Sequence, residues 1–307
     1  MHTVMSPDGT PIAYRVSGAG PALLLVHGAT ADQSRWTSVI PGLAEHLTVY
    51  AMDRRGHGAS GDAADYALEH EFEDVAAVVD AIGGPVYLLG HSYGAVCALE
   101  AALLTRNIAR LILYEPPIQM PSPPGVATKI NRLLEEGRKE EALLTFLLEA
   151  VRAPRKDVEA SRSHPVWPVR VASAGTLARE ITALEEYTLQ PGRFQSVTTP
   201  TLLLLGGESE PDFVQATERV HAALPASRIE RLPVQRHSAM NTAPDLFIER
   251  VLNFLIGING ESMGSDSIDF NPASKTDNAA NPRASTTRRR RGGPGFLWPR
   301  WHPGRRR

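Results

Sequence analysis

Short unbroken apolar runs recur along the chain, each followed by a segment whose apolar residues return every three or four positions. A continuous apolar run between turn residues predicts a strand buried on both faces, and the longer period predicts a helix with one buried face. PALLLVHG (21–28) is the first such run. LTVYAM (47–52) is the second, and it leads into the glycine-rich polar loop DRRGHGAS (53–60). Phe72, Val75, Ala76, Val79 and Ile82 then mark one helical face, which Gly83 and Gly84 end. PVYLLG (85–90) predicts a strand and AVCALEAALL (95–104) a helix of small and apolar residues. IARLILYEPP (108–117) predicts the next strand, stopped by Pro116 and Pro117, which cannot continue a ladder.

From 118 to 196 the rhythm breaks. KINRLLEEG, RKEEALLTFLLEAV and TLAREITALEEY carry helical patterns with no strand between them. Strands resume at TPTLLLLGG (199–207) and SRIERLP (227–233), with the helix DFVQATERVHAAL between them, and PDLFIERVLNFL closes the pattern. Strand–helix alternation predicts an α/β fold with a mainly parallel central sheet flanked by helices. The expected organisation is a core of residues 1–117 and 197–256, a helical insertion at 118–196, and a tail at 257–307.

Charge separates the tail from the rest. The chain's net −2 divides into +6 for residues 257–307 (ten Lys/Arg against four Asp/Glu) and −8 for the remainder (22 against 30). A polar stretch from Gly260 to Thr287 precedes the basic end RRRRGGPGFLWPRWHPGRRR. That composition predicts a disordered basic tail, whose partner is unknown. Anionic lipid or nucleic acid would suit its arginines, and a solvated extension is the simpler reading. An acidic body argues against nucleic-acid binding by the core.

The single cysteine excludes an internal disulfide and suits a reducing compartment. The N-terminal residues show neither a basic n-region nor an apolar h-region, and no apolar run reaches membrane-spanning length. A cytoplasmic location without a transmembrane segment is expected. No His/Asp/Glu cluster has metal-ligand spacing and no dinucleotide fingerprint follows a strand, so neither metal nor cofactor is expected.

Candidate chemistry begins at GHSYG (90–94), where Ser92 lies between a predicted buried strand and a helix of small residues. That context suits a nucleophile on a sharp strand–helix turn, with Gly90 and Gly94 letting strand and helix approach. A plain turn capped by a serine is the alternative. A serine hydroxyl needs a base, and His237 falls on the loop between the last strand and the last helix. An oxyanion needs two N–H donors. Tyr93, at the start of the helix, is one candidate, and Ala29, after His27-Gly28, is the other.

Taken together these residues resemble the α/β-hydrolase fold family, over about residues 5–256. HGATADQSRW looks like the family's His-Gly loop with its downstream tryptophan. DRRGHGAS resembles the loop after the next strand, GHSYG the nucleophile elbow, and HSAM…PDLF the histidine loop. The insertion at 118–196 looks like the family's helical cap. The resemblance implies a serine hydrolase working through a Ser–acid–His triad and an acyl-enzyme. For the acid it leaves a choice. Glu210 falls nearest the usual position in GGESEPDF, beside Glu208 and Asp212. Glu115, closing the strand LILYEPP, matches a second location used by some members. Glu115 is the first choice, because a carboxylate at the end of an apolar strand should be buried and needs a partner. Arg236 stands before His237 where the family often has Gly, which puts the aim of the loop in question.

The expected function is cofactor-independent hydrolysis of an ester-type bond in a small or medium apolar substrate. His27, Gly28 and Trp36 are expected to face that substrate. A C–C hydrolase, lactonase or perhydrolase on the same triad, or a non-catalytic ligand-binding protein of this fold, are the alternatives.

Overall fold

The computed structural model describes residues 1–257. Eight strands form one sheet in the order β1-β2-β4-β3-β5-β6-β7-β8. They are β1 (His2–Met5), β2 (Pro11–Ser17), β3 (Ala22–Val26), β4 (Thr48–Met52), β5 (Val86–His91), β6 (Ile108–Tyr114), β7 (Thr201–Gly206) and β8 (Ser227–Leu232). β3 to β8 pair in parallel, while β1 and β2 run antiparallel at one edge. The pattern of unbroken apolar runs explains the centre. β5 and β7 are buried at every residue, as strands covered on both faces must be.

Helices cover both faces. α1 (Ile40–Ala44), α10 (Ala239–Thr242) and α11 (Pro244–Ile256) pack on one side. α2 (Leu68–Ile82), α3 (Tyr93–Ala101) and α9 (Pro211–Ala223) pack on the other. Gly83 ends α2 at φ 75°, as its position predicts.

The segment between β6 and β7 carries helices and no strand. It holds α4 (Val126–Glu135), α5 (Lys139–Thr145), α6 (Arg155–Arg162), α7 (Trp167–Ala172) and α8 (Leu177–Glu186). These helices have their own apolar cluster, centred on Ile130, Leu143, Ala174 and Leu177. The fold is therefore an α/β core with an inserted helical cap. Outside the sequence expectation lie the antiparallel β1–β2 hairpin, which makes the sheet mixed, and the short helices α1, α6, α7 and α10. No helix among the described residues is long and apolar enough to cross a membrane. The expected disordered tail lies, from residue 258 on, outside the described residues.

Candidate active site

β5 ends at His91 and α3 begins at Tyr93, so Ser92 alone makes the turn. Its backbone sits at φ 54°, ψ −123°, a region that costs a non-glycine residue of order 1–3 kcal/mol. The turn is held by the Ser92 N–H donating to the Tyr114 carbonyl at 2.8 Å and the Ala95 N–H donating to the Ser92 carbonyl at 2.8 Å. Strand and helix approach so closely that only glycine fits at Gly90 and Gly94: a Cβ on Gly90 would lie 2.6 Å from the Ala95 Cα, and one on Gly94 2.4 Å from the His27 carbonyl oxygen. On the loop after β3, a Cβ on Gly28 would lie 2.9 Å from the Ser92 Cβ.

Glu115 follows β6 and is fully buried, with φ 48°. Its Oε2 lies 2.6 Å from His237 Nδ1. Its Oε1 accepts from the Gly206 N–H at 2.7 Å and the Ser209 hydroxyl at 2.5 Å. A buried carboxylate is costly unless paired, and three donors meet that need. The other acids are engaged elsewhere. Glu210 binds Arg236 Nη1 at 2.6 Å, Glu208 lies 3.9 Å from Arg236 Nε, and Asp212 pairs with Arg152 at 2.6 Å. Arg236 thus turns away to Glu210, and its bulk does not displace His237 from Glu115.

His237 is held from several sides. Phe213 stacks on its ring at 4.2 Å. His91 Nε2 donates to its carbonyl at 2.8 Å. The Tyr114 hydroxyl donates to the Arg236 carbonyl and accepts from the Ala239 N–H, bracketing the loop on either side of the histidine. Burial first, then the neighbouring His237 and Arg35, push the His91 pKa well below the usual histidine value, so this ring is neutral. Among the described residues no hydrogen bond joins Ser92 Oγ to His237. Such contacts are commonly long before substrate binds and tighten in the complex.

Tyr93, the first residue of α3, has no intrahelical partner for its N–H. Ala29 lies on the loop after β3, beside Thr30 at φ 54°. Ala29, Ser92 and Tyr93 border one cavity between core and cap, and Met120, Phe146, Val151, Ile181, Leu184 and Phe213 make its apolar wall. His27, Gly28 and Trp36 do not border it. His27 is fully buried, its Nε2 accepting from the Arg54 N–H at 3.0 Å, so it fixes the loop after β4. Gly28 backs onto Ser92. Trp36 is fully buried on the far face of the sheet, with Phe247 at 6.4 Å, because the chain after Ala29 dives into the core.

A charged cluster joins cap to core beside the cavity. Arg54 donates to Glu180 of α8 at 2.5 Å and pairs with Glu71 of α2 at 3.3 Å. Its guanidinium lies over the Tyr93 ring at 4.3 Å. The Tyr66 hydroxyl meets both Tyr93, at 2.6 Å, and Glu71, at 2.8 Å. Burial alone would raise the Glu180 pKa, but Arg54 and His57 outweigh it and hold the carboxyl at about 2. Among the described residues no three His, Cys, Asp or Glu side chains are placed to hold a metal ion. Sequence reading missed Tyr114, Phe213 and Glu180, since nothing local marks a contact made across the fold.

Residues 23–250 match the Alpha/beta hydrolase family, and the chain belongs to that family. It is similar to 2-(acetamidomethylene)succinate hydrolase of Mesorhizobium japonicum, at 25% identity over 78% of this chain and 90% of that protein. Among solved structures it is similar to an alpha/beta hydrolase from Sphaerobacter thermophilus, at 37% identity and a TM-score of 0.75, over 82% of this chain and 99% of the other. It is also similar to an esterase from a Rhodococcus species, at 26% identity and a TM-score of 0.64, over 82% and 97%.

Proposed function

We propose that the protein is a cofactor-independent serine hydrolase that cleaves an ester bond, with Ser92 as nucleophile, His237 as base and Glu115 as the acid that orients it. The observation that carries this reading is the 2.6 Å contact from buried Glu115 to His237 Nδ1, on the loop beside the strained Ser92 turn. With Nδ1–H donated to Glu115, Nε2 is the free base. It takes the Ser92 proton as Oγ attacks the carbonyl carbon. The Tyr93 and Ala29 N–H groups receive the oxyanion. His237 then returns the proton to the leaving alcohol, and a water activated by the same nitrogen releases the acid and regenerates Ser92. The esterase among the similar structures and the hydrolase among the relatives support this chemistry, and the apolar cavity wall supports a small or medium substrate with an apolar part.

The choice of acid is tested by turnover of 4-nitrophenyl butyrate. Glu115→Gln should lower kcat about a thousandfold or more, as loss of the orienting acid does in serine hydrolases. Glu210→Gln should stay near wild type, since it breaks only the pair with Arg236. The reverse pattern would move the acid to Glu210.

A further inference from the structure

The arginines around the site mostly rest on carboxylates: Arg54 on Glu71 and Glu180, Arg55 on Asp8 and Asp74, Arg236 on Glu210. Two do not. Arg35, in the short turn Gln33–Trp36 after β3, donates from Nη2 to the Ser238 hydroxyl at 2.9 Å. Arg170, on α7 of the cap, donates from Nη2 to the Thr30 hydroxyl at 3.2 Å and from Nε to the same oxygen at 3.4 Å. Among the described residues neither forms an ion pair with a carboxylate.

Both positions are informative. Thr30 follows Ala29, which borders the cavity, and Ser238 follows His237. Each arginine is therefore tied to a loop that carries the site, one from the core and one from the cap. Loss of water lowers the pKa of both, Arg35 to about 10 and Arg170 to about 9, and the charge of Arg35 adds to the effect at Arg170. Arg54 and Arg55, which have carboxylate partners, shift the opposite way. Both unpaired guanidiniums stay cationic at neutral pH. Both side chains keep part of their surface in solvent, so an anion can reach them, and two neighbouring cations without a carboxylate partner favour a bound anion. The planar guanidinium fork matches a carboxylate.

We propose that Arg35 and Arg170 form a carboxylate subsite beside the Ser92 cavity, so that the substrate is an ester that also bears a free carboxylate. Its apolar part lies on the wall formed by Met120, Phe146 and Phe213. The proposal rests on the hydrolase reading and adds the substrate class to it.

Two matched pairs of esters test it, one for each arm of the substrate. The first is 4-nitrophenyl hydrogen adipate against 4-nitrophenyl methyl adipate. The second is 4-carboxyphenyl butyrate against its methyl ester. The full-length wild type should prefer the carboxylate member of at least one pair by about tenfold or more in kcat/KM, the scale of a charged hydrogen bond. Arg35→Met and Arg170→Met should bring that ratio toward one, and Arg170→Lys should keep part of it and guard against misfolding of the methionine variants. A wild type that prefers the neutral member of both pairs, or a preference that survives both methionine variants, overturns the subsite and leaves the hydrolase reading intact. If no ester turns over, the hydrolase reading fails. Calorimetric titration with adipate then decides the subsite: saturable binding lost in Arg35→Met and Arg170→Met supports it, and absence of binding overturns it.

Discussion

His237 owes its direction to side chains far away in sequence. Tyr114 holds the carbonyl of Arg236 on one side and the N–H of Ala239 on the other, His91 holds the carbonyl of His237, and Phe213 lies flat against the ring. Tyr114→Phe removes one hydroxyl and leaves two backbone groups without their partner. Turnover of 4-nitrophenyl butyrate should fall about ten- to a hundredfold, the scale of one or two such hydrogen bonds, with the protein still folded by circular dichroism. An unchanged kcat would mean that His91 and Phe213 suffice to aim the His237 ring. Ser92 stood out in the sequence as the residue between a strand and a helix, His237 as the histidine on the loop after the last strand, and Glu115 through its resemblance to a known acid position at the end of an apolar strand. Tyr114 did not, because its partners are reached only after β6 and the histidine loop come together across the sheet. Trp36 and His27 were placed against substrate from their neighbours in sequence, whereas the loop's backbone turns at Thr30 and carries Trp36 into the core.

The contact between α8 and the loop after β4 joins cap to core through a buried ion cluster. Glu180 is ionised in the fold well below the ordinary carboxylate pKa of 4.5, being held at about 2. A carboxylate lowered in this way stabilises the fold above its ordinary pKa, and the contribution is lost as pH falls from about 4.5 toward 2. Glu71, on the same arginine, is pushed up by burial and runs the opposite way. Thermal unfolding followed from pH 7 to pH 3 should therefore show Tm falling in acid for wild type. Glu180→Gln should melt lower at pH 7 and show a shallower acid limb, and a parallel pair of curves would deny Glu180 this role. The strands and long helices of the core were readable because unbroken apolar runs and a three-to-four period survive in a single chain. The β1–β2 hairpin was not read. Its strands are largely exposed and carry no apolar run, although Ser6-Pro7-Asp8-Gly9 is a turn signal and Gly9 takes φ 88° there. The helices α6 and α7 are eight and six residues long, too short to establish a period.

A mainly parallel sheet brings the ends of β3, β5, β6 and β7 to one edge, and the chemistry collects there. Ala29 follows β3, Ser92 follows β5, and Glu115 follows β6. The Gly206 N–H that binds Glu115 ends β7. The cap closes over this edge and leaves an apolar cavity with Ser92 on its wall. The fold class and family follow from the architecture, while the chemistry depends on whether Ser92 is activated by His237. Labelling by a fluorophosphonate probe, read by intact mass, measures that activation without knowledge of the substrate. Wild type should gain one adduct, and both Ser92→Ala and His237→Ala should lose it, because members of such a triad act as a unit. Folded wild type that does not label, or Ser92→Ala that still does, would contradict the assignment of Ser92 as the nucleophile.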